Sequence, residues 1–459
     1  MSKFRHHLLA TLVLVAVQAL GCAHAYAQLS DAEQRITDSI RQRSSSALEF
    51  LEKTVRINSG TLNVDGVREV GRLYRAEFET MGFTTRWAEM PAQMRRAGHL
   101  IAIRTPGAVN AANVVNAPDA AGAASAARIA NAPRLLLLGH MDTVFEKGSS
   151  MALWERRGGR VRGQGVNDMK GGNLVMLEAL RALNSIGALD DAQISVILTG
   201  DEERTGSPLA LARADLVELA KQSDAALSFE ATGPRGEASI TRRSSGGWTL
   251  TVKAKPGHSA GVFSPSAGYG AVFEAARIIN GFREQLIEPN LTFNPGVAVG
   301  GTQVEYADAT ATGNAFGKTN VIAKDFVVRG DLRFLTPEQG TRTQAKMREI
   351  VAASLPGSSA TIEFRDGYPP MPPTARGEKL LALYSKASQD AGFGPSLAMD
   401  PARRGAGDIQ FAAPHVAGLD GLGTRGSGSH TDDEDLEIAS IERSAIRAAL
   451  FIHRLITAP

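Results

Sequence analysis

The chain has 459 residues, 43% of them hydrophobic and 21% charged, with a formal net charge of +2. Such proportions belong to a folded globular protein with a sizeable core, and at roughly 150 residues per domain the length allows two or three domains. A charge this close to balance gives no reason to expect nucleic acid or an anionic membrane surface as a partner.

The N-terminus is organised as an export signal. MSKFRHH carries Lys3 and Arg5, LLATLVLVAVQAL (8–20) is apolar, and AHAYAQ offers small residues at Ala25 and Ala27. Basic, apolar and small segments in that order predict a signal peptide over 1–27, cleaved after Ala27, with the mature protein periplasmic or secreted. The apolar run of 13 residues is short of the roughly 20 that cross a bilayer, so no membrane association is expected after processing. Cys22 is the single cysteine; lipidation there is the alternative to cleavage, but ALGC sets its leucine beside the glycine rather than one place earlier. Cleavage after Ala27 leaves no thiol, so any metal must be held by His, Asp and Glu.

From about Leu48 to Phe83 the apolar residues recur at helical spacing, ending at Gly82, a glycine stop before a new strand. LIAIR (100–104) reads as a strand. The alanine-rich stretch 105–133 has little charge or pattern and reads as a surface insertion. LLLLGHMDTV (135–144) begins as a strand covered on both faces; GGNLVMLEALRALNSIG (171–187) is helical and AQISVILTG (192–200) is a second buried strand. Alternating strands and helices predict an α/β sheet with helices on both faces. Further on, 238–257 alternates like a strand, 266–286 is helical, 319–335 is strand-rich, 337–355 is helical and 360–365 is again a strand. These describe an α+β domain over 238–366, inserted into a mixed-sheet domain formed by 28–237 and 367–459. The last helix, 441–456, packs back on the first domain.

The chemistry-bearing residues stand at the ends of these strands. His140 and Asp142 are two apart after the leucine run, so both side chains can face one side, and ligand sites in open α/β sheets lie at the carboxyl ends of strands. Asp168 lies in GVNDMKGG (165–172), before a helix that it could simply cap. The acids of DEE (201–203) follow a strand, and three adjacent carboxylates repel one another unless a cation sits among them. Glu230 ends ALSFEAT (226–232), and His430 lies in the loop GSGSHTDDED (426–435). Singly, each has an ordinary explanation as a structural pair, a cap, a solvated loop or a surface histidine. Together, His140, Asp168, Glu203, Glu230 and His430 supply enough ligands for two divalent ions sharing one carboxylate. Glu202, beside a ligand yet left free, has the chemistry of a general base.

HMDTV, GVNDMKGG, TGDEE, SFEAT, KPGHSA, the TNVIA…GDLRF pair and GSGSH, in that order from about residue 48 to 456, resemble the dizinc aminoacylase/carboxypeptidase superfamily, most closely glutamate carboxypeptidases of the carboxypeptidase G type. The resemblance implies that Asp168 bridges two ions, most simply zinc, that His140 and Glu230 complete one site, and that Glu203 and His430 complete the other. Asp142 would orient His140 and Glu202 would be the general base. The inserted domain would be a lid and dimerisation domain, making a homodimer in which His258 reaches the neighbouring subunit's site; Asn320 and Arg333 would bind the substrate's carboxylate. The implied activity is release of a C-terminal amino acid, glutamate first, from peptidyl or N-acyl substrates. Two segments depart from the carboxypeptidase G pattern: Asp366-Gly367-Tyr368 lacks the arginine those relatives carry beside the glycine, and RRGAGDIQF (403–411) replaces a glycine-threonine-aspartate version. The alternatives are an aminoacylase or dipeptidase with another side-chain preference, a catalytically silent metal-dependent binding protein, or a scaffold whose acids and histidines are merely solvated.

Overall fold

The computed structural model describes residues 29–106, 132–307 and 310–457. The export segment, Cys22 and nearly all of the alanine-rich stretch lie outside those residues. Among the described residues no helix is long and apolar enough to cross a membrane.

With strands numbered in chain order, the principal sheet comprises β1 (Thr84–Ala88), β2 (His99–Arg104), β3 (Arg134–His140), β6 (Gln193–Thr199), β7 (Ala225–Ser228) and β14 (Gly418–Leu419), in the order β1-β2-β6-β3-β7-β14. It is mixed: β3 runs parallel to β6 and β7, whereas β2 pairs antiparallel with β6. The leucine run forms β3, and its period of two divides it between the faces. Leu135 and Leu137 pack with α1 (Asp31–Gln42), α3 (Val64–Thr80), α4 (Gly171–Ser185), α9 (Ala375–Asp390) and α11 (Ile438–Thr457). Leu136 and Leu138 pack with α6 (Ala214–Lys221) and α10 (Ile409–Ala412). The sheet is therefore covered on both faces, as the alternation of elements predicts.

The continuous helical spacing over 48–83 resolves into two helices, α2 (Ser44–Val55) and α3. The break between them contains Asn58, Ser59 and Asn63, whose short polar side chains compete for backbone groups. Asn63 Oδ1 caps the amide of Gly66 at 3.3 Å, starting α3, and Gly82, at φ +77°, ends it in the left-handed conformation that glycine tolerates. The periodicity reading passed over α1, although Ser30 and Glu33 form its capping box.

A second sheet, β8 (Ser245–Ala254), β9 (Pro295–Gly301), β12 (Asp325–Leu332) and β13 (Ser358–Tyr368), is antiparallel in the order β13-β8-β12-β9. It packs with α7 (Gly270–Gln285) and α8 (Pro337–Ala352) around a separate core that includes Trp248, Leu250, Ile278, Val328 and Met347. Only 245–254 of the strand predicted over 238–257 joins this ladder; Ser239 and Arg242 instead make single bridges to Asp420 and Met371. The hairpin β10 (Gln303–Ala307) to β11 (Thr312–Phe316) went unpredicted. So did a small sheet of β4 (Glu155–Arg157), β5 (Arg160–Arg162), β15 (Gly426–Ser427) and β16 (Asp435–Glu437), ordered β15-β16-β5-β4. Its strands are two or three residues long, too short to leave a periodic signal. Its importance is positional, because β15 and β16 hold the loop that contains His430.

Candidate metal centre

The three parallel strands β6, β3 and β7 end together, since His140 lies opposite Thr199 and Leu138 opposite Ser228. His140 closes β3, Glu202 and Glu203 follow β6, and Glu230 follows β7. Asp168 arrives from the turn Val166–Lys170 that leads into α4. That turn can approach β7 because Gly172 has no side chain: a Cβ there would stand 1.8 Å from the carbonyl oxygen of Phe229. No side chain caps the start of α4, so Asp168 is not spent as its cap. His430 stands at φ +67°, a left-handed conformation costing a non-glycine residue roughly 1–2 kcal/mol.

The five candidate ligands meet in two groups that share Asp168. His140, Asp168 and Glu230 form one, and Asp168, Glu203 and His430 the other; within each, the ligand atoms lie within 4.8 Å of one another. Asp168 Oδ1 is 3.3 Å from His140 Nε2, while its Oδ2 is 3.2 Å from His430 Nε2. His140 Nε2 is also 3.6 Å from Glu230 Oε1, and His430 Nε2 is 3.1 Å from Glu203 Oε2. Each oxygen of one carboxylate thus faces a different histidine and a different acid.

Asp142 ties this edge together. Its Oδ2 accepts the Thr61 hydroxyl at 2.6 Å and the Glu203 amide at 3.1 Å, and its Oδ1 accepts the Glu202 amide at 3.0 Å. His140 Nδ1 lies 3.0 Å from the Asp142 carbonyl and 3.5 Å from its carboxylate, which leaves Nε2 facing Asp168 and Glu230. Such a partner behind a metal-facing histidine fixes its tautomer and ring orientation.

Burial and the crowding of acids around two imidazoles set the electrostatics of the cluster. Burial, then the charge of Asp168, pushes the Glu230 carboxyl up to about 7. Burial raises Glu203 too, against the hydrogen bond from His430. Hydrogen bonds to Asp168 and then Glu203 push His430 up to about 11. Burial works against a charged His140, yet its bonds to Asp142 and Asp168 hold it well above the usual range. A dication among these groups inverts that logic, favouring ionised carboxylates and neutral imidazoles. The donor set, carboxylate oxygens and imidazole nitrogens converging on shared points, fits such an ion.

Several positioning residues left no motif in the sequence. Glu434 Oε1 accepts the amides of Asn167 and Asp168, at 2.8 and 3.0 Å, and so holds the bridging residue in place. Arg213, which is buried, pairs with Asp201 at 2.6 Å and with Asp408, far along the chain, at 2.7 Å. The Tyr368 hydroxyl stands 3.0 Å from that of Thr205 and donates to the Glu202 carbonyl at 3.2 Å. Glu434 was visible only as one acid in a run, and Arg213 as one arginine in an amphipathic helix region. Both segments flagged as departures, at Tyr368 and Asp408, reach this network.

His258, Asn320 and Arg333 stand apart from the cluster. His258 is exposed, and its Nδ1 accepts the amide of Ala260 at 3.2 Å. Asn320 is exposed as well, and its carbonyl accepts the amide of Ser259. Arg333 Nε bonds Asp331 at 3.1 Å. None of the three makes a hydrogen bond or ion pair with the five ligands among the described residues.

Residues 136–454 match the model of peptidase family M20/M25/M40, which takes in most of β3, the whole second sheet and every residue of the cluster. The chain belongs to that family. It is a metal-dependent hydrolase of the M20 group, and the resemblance read from its motifs holds. Carboxypeptidase G2 from Pseudomonas sp. (strain RS-16) is 28% identical over 421 residues, covering 89% of this chain and 88% of that protein. Among solved structures, the aminopeptidase PepT from Bacillus cereus superposes with a TM-score of 0.66 at 18% identity, over 90% of this chain and 98% of that one. The YXEP protein of Bacillus subtilis, a dinuclear metal-binding peptidase of the M20 family, gives 0.60 at 12% identity, over 91% and 100%. These likenesses share the fold: a mixed-sheet M20 domain with a second α+β unit inserted.

Proposed function

We propose that this M20 peptidase is an exported, homodimeric zinc carboxypeptidase that hydrolyses an amide bond to release a C-terminal amino acid, glutamate first, from peptidyl or N-acyl substrates. The observation that carries the reading is Asp168, whose two oxygens face separate His–carboxylate pairs. His140, Asp168 and Glu230 would hold one ion, and Asp168, Glu203 and His430 the other. With only nitrogen and oxygen donors zinc is the first choice, and cobalt or manganese can substitute. When bound, two such ions supply the Lewis acidity that activates a water and polarises the scissile carbonyl.

The remaining steps belong to the chain's own groups. Glu202 is in neither ligand group. Burial pushes its carboxyl well above the usual range; His140 pulls it down, and Asp408, Glu230 and Glu203 push it up again. It is suited to take the proton from the attacking water and pass it to the departing amine nitrogen. Asp142 keeps its backbone and the His140 ring in place. In the dimer, His258 from the lid of one subunit polarises the carbonyl in the other's site, while Asn320 and Arg333 hold the substrate's α-carboxylate. The Ser259–Asn320 bond and the His258–Val321 bridge, which keep His258 and Asn320 side by side, support that division of labour. The export reading rests on residues 1–27.

The test is hydrolysis of N-acyl-glutamate beside N-acyl-alanine and N-acyl-leucine, after chelation and zinc return. Zinc-restored cleavage led by the glutamate compound is the expected result. Glu202→Gln should keep its metal and lose about 10²–10⁴-fold in kcat; a variant as active as the parent removes Glu202 from the mechanism. One observation favours a second reading. Tyr368, beside Gly367, is already bonded to the Glu202 loop, and it offers no charge to a substrate carboxylate. An aminoacylase or dipeptidase with another side-chain preference would show zinc-restored cleavage led by the alanine or leucine compound.

A further inference from the structure

Beside the segments that carry Glu230 and His430, and using none of the metal-facing residues, lies a cavity of about 340 Å³ lined by Arg235, Arg425, Arg443 and Arg447 with Thr232 and Ser444. Three of the four guanidinium groups share two carboxylates. Glu237 takes Arg235, at 2.8 Å, and Glu437 takes both Arg425 and Arg443. Arg447 has no ion-pair partner among the described residues. It is only 9% exposed, its Nε donates to the Ser388 hydroxyl at 2.9 Å, and the Phe393 ring lies 5.3 Å from its guanidinium carbon. A buried cation without a counter-charge is costly, and the neighbouring Tyr384 hydroxyl and Ser388 are neutral. Gly236 leaves the space in front of it open, since a Cβ there would stand 3.0 Å from Arg447 Nη1. The Ser444 hydroxyl, on the same helix α11, makes no hydrogen bond among the described residues.

We infer that this cavity is a binding site for a phosphate group, either as the free ion or on a small monoester. Arg447 and Arg443 supply forked donors matched to a tetrahedral oxyanion, Ser444 adds a hydroxyl, and the volume leaves room for a small organic body. The site also sits where it can matter. Thr232, two residues past Glu230, donates its amide to the Thr424 carbonyl at 3.0 Å, and Arg425 Nη1 donates to the Pro234 carbonyl at 3.3 Å. A phosphate held by Arg443 and Arg447 adds a tie to the loops that deliver Glu230 and His430.

The experiment is thermal unfolding of the metal-loaded protein in inorganic phosphate or glycerol phosphate, up to about 50 mM, against chloride at matched ionic strength. A saturable rise in Tm is expected, abolished in Arg447→Gln and shifted to at least about tenfold higher concentration in Arg443→Ala. Should Arg447→Gln fail to fold, the partly exposed Arg443 still decides the matter. Saturation at lower glycerol phosphate than inorganic phosphate identifies a monoester ligand, and the reverse a free ion. No rise, or an equal rise in the parent and both variants, as phosphate captured by the metal centre would give, overturns the proposal.

Discussion

Under the proposed ligand set, a metal ion must displace the protons that His430 and Glu230 hold. Among the ligand side chains themselves, His430 is pushed up to about 11 by its bonds to Asp168 and Glu203, and Glu230 to about 7 by burial and Asp168. Coordination requires a neutral imidazole and an ionised carboxylate, so both protons leave on binding, and lowering the pH returns them in competition with the cation. From about pH 8 to about pH 7, apparent zinc affinity should therefore fall by about tenfold for the His430 proton, and more steeply from about pH 7 to about pH 6, where Glu230 holds a proton too. Chelator competition at the two ends of that range measures it; an affinity flat across the window would remove these residues from the ligand set. At this scale the sequence was most legible where a residue type has few other uses after an apolar strand, as at His140 and Glu203. It was least legible for Arg213 and Glu434, because an arginine on a helix and an acid in an acidic run are ordinary. Only their burial against Asp201, Asp408 and the Asp168 amide sets them apart.

At the scale of elements, β3 is both the middle of the sheet and the support of His140. Leu137 is fully buried there, so Leu137→Ala should cost about 2–5 kcal/mol and loosen metal binding with it; urea unfolding and metal titration of the same variant check both. The loop after β6 depends on a different device. Arg213→Met leaves Asp201 and Asp408 buried without their shared cation, an expected loss of about 3–5 kcal/mol. Because Arg213 braces the segment that carries Glu202, kcat should fall more than KM rises. A change in KM alone would make the arginine part of substrate binding instead. Long apolar runs predicted β3, β6, α4 and α11 well because their period and length agree. The spacing over 48–83 misled because two amphipathic helices in tandem share one period, and the break between them is made by side-chain bonds of Asn58 and Asn63 that periodicity does not register.

At the scale of the molecule, the core around Trp248, Leu250 and Met347 has no member in common with the core of the principal sheet. The five candidate ligands all lie outside that second core's elements. Calorimetry is expected to show two transitions, of which chelation lowers one, by about 4 kcal/mol if the ion was present at a thousandfold above its Kd. The other, followed by Trp248 fluorescence in a chain lacking Trp87 and Trp154, should stay in place. One transition moving as a unit would mean that the two cores unfold cooperatively through the β8 and β13 connections.

What the sequence by itself determined is the set of strand ends and the residue types placed on them. A buried strand leaves a continuous apolar run, and a His or carboxylate directly after one stands out against it; the order of those motifs was enough to point to the M20 group. What only the tertiary structure decided is which of those ends coincide. The parallel register of β6, β3 and β7 brings three acids and a histidine to one edge, and the small sheet of β5, β15 and β16 carries His430, far along the chain, to meet them. Registers and crossings are settled by the packing of whole faces against one another, a sum over contacts far apart in the chain, and no local pattern encodes that sum.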